Sequence, residues 1–222
     1  MLLALDTSTR AVGVALYDGT QVLSESLWVS QDHHTVDLAP AVAAALAKPG
    51  AQVSDLQALA VAIGPGSFTG LRIGLALVKG LALAHHLPLI GIPSLDVLAQ
   101  SQPVVDMPLA AVLRAGRDRL AVGWYQVVRD AWKSTGKTEV LTASDLALAI
   151  QKPTRVCGEL TDEERRLLAR KRKNVLLSSP AHSARRPAYL AEIAWQRWQA
   201  GQLDDPATLA PIYLHTSGSI PG

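Results

Sequence analysis

The sequence predicts an α/β fold in two lobes, built on mixed β-sheets flanked by helices. Three observations carry that prediction. Strand-length runs at residues 2–5, 11–17 and 21–28 are joined by tight turns, which begins a sheet as an antiparallel meander. Strand-like and helix-like runs then alternate as far as Ser94, which makes the sheet mixed. After the hinge-like stretch Gln100-Ser101-Gln102-Pro103 the strand pattern starts again. Residues 1–100 are therefore expected to form one lobe and 101–222 a smaller second one.

The elements follow in order. Leu2-Leu3-Ala4-Leu5 is an apolar strand that ends at the turn formers Asp6-Thr7-Ser8-Thr9, and the strand at 11–17 closes at Asp18-Gly19. Val36, Ala39, Val42, Ala43 and Leu46 recur at helical spacing until Lys48-Pro49-Gly50 stops them; Pro40 implies a kinked first turn or a later start. Residues 58–63 read as a central strand that empties into Gly64-Pro65-Gly66-Ser67-Phe68-Thr69-Gly70. A helix over about 71–85 carries Leu71, Leu75, Val78 and Leu81/Ala82 on its apolar stripe. Residues 87–92 form another buried strand, and Pro93-Ser94 opens a short helix. Beyond the hinge, 109–113 and 120–128 pair as a hairpin across the basic turn 114–119. Val156 and 175–177 mark two more strands, separated by a charged helix over 162–173. Pro187 opens a helix to about Trp198, expected to pack back on the first lobe, and 211–214 is a short terminal segment.

Composition removes several function classes. Apolar residues make up 49% of the 222 and charged residues 18%, a core-forming balance that excludes disorder as the main state. A formal charge of +2 excludes a protein-wide nucleic-acid field and leaves room only for local contacts. The single cysteine, Cys157, allows neither an internal disulfide nor a Cys-rich zinc site, which points to the cytoplasm. Asp6 cuts short the apolar start, and Arg72, Lys79, Gly80 and His85-His86 break the most apolar stretch. Neither a signal peptide nor a span of about 20 apolar residues is expected, so no membrane partner is.

Two loops could carry chemistry. In Asp6-Thr7-Ser8-Thr9 the carboxylate can hold a water or a hydrated Mg²⁺, while hydroxyls and N–H groups face a phosphate; an Asx-type turn explains the same residues. The run GPGSFTGLRIG at 64–74 can bring backbone close to an anion, with Ser67 or Thr69 capping the helix. It matches neither the dinucleotide nor the Walker spacing, and Gly70 and Gly74, four apart, suit close helix packing equally well.

Other clusters are weaker. Asp32, His33, His34 and Asp37 lack any HExxH or HxxxH spacing and read as a polar loop or cap. His85-His86 suits a helix end. Arg165-Arg166 and Arg170-Lys171-Arg172-Lys173, partly offset by Asp162-Glu163-Glu164, match a helix dipole, with RNA-phosphate contact as the alternative. Trp195 and Trp198 read as core or interface anchors. No Ser-His-Asp, Cys-His or paired-carboxylate arrangement appears, so no catalytic residue and no metal ligand is expected.

Five ordered blocks resemble the TsaB (YeaZ) family: Leu3-Ala4-Leu5-Asp6-Thr7-Ser8-Thr9, His34-Thr35, GPGSFTGLRIG at 64–74, Lys79-Gly80-Leu81-Ala82, and Pro88-Leu89-Ile90-Gly91-Ile92-Pro93-Ser94-Leu95. The likeness is dense over residues 2–100 and thin afterwards. It implies the two-lobed ASKHA (actin/hexokinase/RNase-H-like) fold. It also implies a part in making threonylcarbamoyladenosine beside the tRNA anticodon, as a non-catalytic scaffold and dimerisation subunit. The implied partners are a TsaD-like catalytic subunit and a TsaE-like ATPase, with tRNA met through the complex and a homodimer formed when TsaD is absent. Similarity to the M22 peptidases supplies a rival: a metal-dependent glycoprotease-like peptidase or a nucleotide hydrolase.

On this resemblance Asp6, Thr7, Ser8 and Thr9 are the remnant of a nucleotide site. No cofactor is required, and ATP or ADP with Mg²⁺ belongs at or near the heterodimer. The partner face is expected at His34, Val42, Gly66, Ser67, Phe68, Thr69, Gly70, Leu71, Gly74, Leu75 and Val78. Two departures stand in the second lobe. Many members carry Asp-Ala-Arg where this chain has Arg114-Ala115-Gly116, and the usual Tyr-Leu-Arg is here Tyr213-Leu214-His215.

Overall fold

A computed structural model describes residues 1–30, 34–116 and 118–214, with the side chains of His34 and Thr35 left aside. The first sheet contains β1 (Leu2–Asp6), β2 (Ala11–Tyr17), β3 (Val22–Val29), β4 (Ala58–Gly64) and β5 (Leu89–Pro93) in the order β3-β2-β1-β4-β5. β1 runs antiparallel to β2, with Leu3 opposite Leu16, and parallel to β4, with Leu3 beside Leu59. All five residues of β1 are buried. That explains an unbroken apolar run where a half-exposed strand would alternate.

Both faces of this sheet are covered. On one, Leu3, Leu5, Val14 and Val61 pack against α1 (His34–Ala47) and α2 (Phe68–His85) through Val42, Leu46, Leu75 and Val78. On the other, Leu2, Ala4, Ala60 and Ile90 meet Leu190, Ala191 and Ala194 of α6 (Pro187–Gln199). Small alanines on β1 and β4 let α6 lie close. The chain that leaves α6 stays on this sheet: Asp204 N–H donates to Leu89 C=O at 2.9 Å and Ile212 N–H to Ile63 C=O at 2.7 Å.

The second sheet follows α3 (Ser94–Gln100). It contains β6 (Leu109–Arg114), β7 (Leu120–Val128), β8 (Ala131–Leu141), β9 (Thr154–Gly158) and β10 (Val175–Leu177) in the order β10-β9-β6-β7-β8. It is mixed, as expected: β6 pairs antiparallel with β7 and parallel with β9. Val112, Val122 and Val156 pack under α4 (Ala143–Ala149) and α5 (Asp162–Ala169), while Leu109, Ala111, Tyr125, Trp132 and Cys157 pack against α3.

Four details differ from the sequence reading. β8 is an edge strand whose middle, Lys133 to Thr138, faces solvent on both sides, so it has no alternation to detect. α4 has only seven residues, too few for a periodic stripe. α2 starts at Phe68, because Ser67 caps it by accepting from Gly70 N–H at 3.2 Å. α5 ends at Ala169, leaving Arg170 to Lys173 on the turn beyond it. Pro40 sits inside α1 without ending it.

The buried Cys157 gives a direct test of the second core. Burial disfavours its thiolate and pushes the thiol pKa up to about 12. A raised pKa contributes stability that is complete below the unfolded value near 9 and is lost as pH rises toward 12. At pH 8 the folded chain is expected to resist iodoacetamide, its thiolate fraction about a thousandfold below that of the urea-unfolded chain. Intact mass after timed alkylation reads the difference.

Candidate functional site

The Asp6 loop and the glycine loop close on each other. Ser8 N–H donates to Asp6 Oδ1 at 2.9 Å, and the Thr7 hydroxyl donates to Gly70 C=O at 2.7 Å. Ser8 and Ser94 hydroxyls share a 2.5 Å hydrogen bond, and Ser67 N–H reaches Ser8 C=O at 2.6 Å. A Cβ at Gly66 would lie 2.1 Å from Ser8 O, at Gly70 2.2 Å from Thr7 O, and at Gly74 2.2 Å from Thr7 Oγ1. Close packing within the chain is therefore what these glycines serve. An added methyl has nowhere to go.

Arg185, just ahead of α6, completes the cluster. Its side chain is 1% exposed. Nε donates to Asp6 Oδ2, Nη1 to Glu159 Oε1 at 3.0 Å, and Nη2 to both Thr9 Oγ1 and Ala11 C=O at 3.1 Å. The Thr9 hydroxyl in turn donates to Glu159 at 2.5 Å. Burial opposes the guanidinium charge, but the Asp6 and Glu159 carboxylates more than offset it, so the Arg185 pKa is raised. Asp6 and Thr9 belong to the first sheet's lobe and Glu159 follows β9 in the second, so one guanidinium clasps the two lobes.

This geometry changes the reading of the four loop residues. Asp6, Thr7, Ser8 and Thr9 are all buried. One Asp6 oxygen is held by Ser8 N–H and the other by Arg185. The positive charge that a hydrated Mg²⁺ would bring is supplied by the chain itself. The cavity beside the clasp, about 590 Å³, is lined by Thr9, Arg10, Ser67, Arg114, Gly116 and Glu159. Arg114, on the rim of that cavity, pairs with Glu164 at 2.5 Å.

The residues expected at the partner face divide by exposure. Val42, Gly70, Leu71, Gly74, Leu75 and Val78 are buried within the chain, where the helical stripe covers the sheet. Gly66 is half-buried under the Ser8 backbone, while Ser67, Phe68 and Thr69 reach the surface. Phe68 stacks on Tyr213 with ring centroids 5.1 Å apart, and the Arg72 guanidinium lies 3.7 Å from its centroid. The His34 side chain, Asp32 and His33 lie outside the described residues. Among the described residues no three His, Cys, Asp or Glu side chains gather where they could hold a metal. His86 caps α2 in the left-handed conformation.

Comparison with known proteins places this arrangement. The family profile described as TsaD, tRNA N6-adenosine threonylcarbamoyltransferase, matches residues 28–144, more than half of the chain. The structure of YeaZ from Pseudomonas aeruginosa superposes with a TM-score of 0.79 at 29% identity, over 96% of this chain and 99% of that one. The chain belongs to the TsaB/YeaZ family. TsaB of Escherichia coli is 35% identical over 145 residues, 65% of this chain and 49% of that protein. The chain thus spans about half the length of the curated TsaB relatives it matches, with 55% for the Bacillus subtilis protein. A ROK hexokinase from Thermus thermophilus shares the fold alone, at a TM-score of 0.51 and 9% identity over 90% of this chain and 99% of that one. The expected actin/hexokinase-like fold is thereby met.

Within this TsaB/YeaZ chain, Arg185 was beyond sequence reasoning. It is one of two adjacent arginines before Pro187, and its partner Asp6 lies 179 residues away. The two arginines are expected to behave differently. Arg185→Leu, which strands the buried Asp6 carboxylate and removes a partner of the half-buried Glu159, should cost about 3–5 kcal/mol. Arg186→Leu, which breaks a half-exposed pair with Glu25, should cost about 0–1 kcal/mol. Urea denaturation of both variants measures the contrast. The glycines offer a second pair: Gly70→Ala should destabilise by about 1–3 kcal/mol. Gly80→Ala, with no atom within 4 Å of its Cβ, should stabilise α2 by about 0.5–1 kcal/mol. Thermal melts of the two variants should move in opposite directions.

Proposed function

We propose that this chain is a non-catalytic scaffold subunit in the formation of threonylcarbamoyladenosine in tRNA, and that it binds a TsaD-like catalytic subunit through the outer faces of α1 and α2. The names of its TsaB relatives supply the pathway. The observation that carries the scaffold reading is the surface of those helices. Val36 is 67% exposed and Leu83 68% exposed; Ala39, Ala43, Ala76 and Ala84 between them are small and exposed. A groove of about 380 Å³ between the helices is lined by Ala39, Ala43, Leu77 and Leu81. Small residues let a second helix pair approach closely, and an exposed apolar patch of this kind marks an interface. By length and composition α2 alone among the described helices could cross a membrane, yet its Leu71, Leu75 and Val78 pack on the sheet.

The clasp supports the non-catalytic half of the proposal. With Asp6 tied to Arg185, no open carboxylate faces the cleft from the first loop. ATP or ADP with Mg²⁺ then belongs to the TsaD-like partner and a TsaE-like ATPase, and tRNA reaches this subunit through the complex. A second copy of the chain occupies the same helical face when the partner is absent. The work is cytoplasmic, where tRNA is modified. The peptidase or nucleotide-hydrolase alternative would need the Asp6 carboxylate that Arg185 holds.

Size-exclusion with light scattering of the chain mixed with its cognate TsaD-like subunit tests the reading. A complex is expected, and Leu83→Glu should weaken it at least tenfold while leaving the melting temperature of the isolated chain nearly unchanged. Wild-type chain that ignores the TsaD-like subunit, or that alone turns over Mg·ATP or a peptide with Zn²⁺, would overturn the proposal.

A further inference from the structure

The run Arg170-Lys171-Arg172-Lys173 is not absorbed by the scaffold reading, and the structure changes its meaning. Were these residues the last turn of a helix, their charge would answer the helix dipole. They are not. α5 ends at Ala169, and the four cations occupy the turn that leads into β10. The turn is built from backbone bonds: Lys171 N–H to Leu168 C=O at 3.0 Å, and Asn174 and Val175 N–H to Lys171 C=O at 2.9 Å. The dipole answers for the first one or two charges, and the rest need another explanation.

The cations are also unneutralised. Among the described residues none of the four is in an ion pair. The acids of the same segment stand at the far end of α5, about 10–12 Å away at 1.5 Å per residue. Of these, Glu164 is committed to Arg114. Arg170, Arg172 and Lys173 are exposed and Lys171 is half-buried. Lys152 joins them, because Thr154 N–H donates to Asn174 C=O at 2.8 Å and sets its loop beside the turn. Five cations thus crowd one corner of a chain whose formal charge is only +2.

We infer that this corner of the second lobe binds the phosphate backbone of RNA directly. Residues 170–174 carry no apolar or aromatic side chain, and Leu176 of β10 beside them is 39% exposed, whereas phosphate contacts need only Lys and Arg in reach of a polyanion. The patch lies on the turn between α5 and β10, in the other lobe from α1 and α2, so a partner on those helices leaves it open. The inference rests on the proposed function for the choice of RNA as the polyanion.

Titrating labelled tRNA with the chain alone, and with its complex with the TsaD-like subunit, over about 50–200 mM salt tests it. The variant carries Arg170→Gln, Lys171→Gln, Arg172→Gln and Lys173→Gln together; a second carries Lys171→Arg and Lys173→Arg. Losing four phosphate contacts should reduce the slope of log affinity against log salt by about 3 and weaken binding at least tenfold. The arginine variant should bind as wild type. An unchanged slope in the glutamine variant, or no tRNA bound by wild type in either form, overturns the inference. Both results leave the scaffold reading standing if the complex still forms. A glutamine variant that loses the TsaD-like subunit while tRNA binding is unchanged also overturns it, making the turn a protein contact.

Discussion

A guanidinium inside a folded chain must be surrounded by acceptors before its desolvation can be tolerated, and Arg185 meets that demand with groups drawn from both lobes. Asp6 ends the central strand of the first sheet, Thr9 and Ala11 follow it, and Glu159 leaves the second sheet at β9. The buried cation, paired with buried Asp6 and half-buried Glu159, restricts how far the lobes can move apart. The loop that places Asp6 is itself pinned by Ser94 at the start of α3 and by the glycines of α2. The lobe arrangement and the closed first loop therefore meet at one charge.

That dependence bears on function. In this chain a side chain of its own has taken the place beside the first-loop carboxylate. The consequence is a first loop whose polar groups are turned inward, while Val36 and Leu83 stand exposed on the outer faces of α1 and α2. Under the proposed scaffold role, those outer faces are the part that meets a partner.

Much of this was legible in the sequence, and what was not has physical causes. Fully buried strands such as β1 and β4 announce themselves as unbroken apolar runs, and the helix stripes as three- and four-residue spacing. β8 was not legible because an edge strand with polar residues on both faces has no periodicity. The stripe Leu71, Leu75 and Val78 was readable as apolar, but whether it faced the chain's own sheet or another protein was not. Periodicity reports that a face is covered and is silent about what covers it. The four loop residues were found from their chemistry, while Arg185 needed three dimensions.

The return of α6 to the first sheet has a consequence for how the chain comes into being. Leu2, Ala4, Ala60 and Ile90 are covered mainly by a helix that begins at Pro187, with Val97 of α3 beside it. During synthesis, then, this face of the first sheet emerges without its main cover, and stays so while the second lobe is translated. Native closure waits for contacts spanning nearly the full chain, which makes folding late and slow in loop-closure terms. For that interval the nascent chain is prone to aggregation, and a chain ending before Pro187 would leave this face without α6.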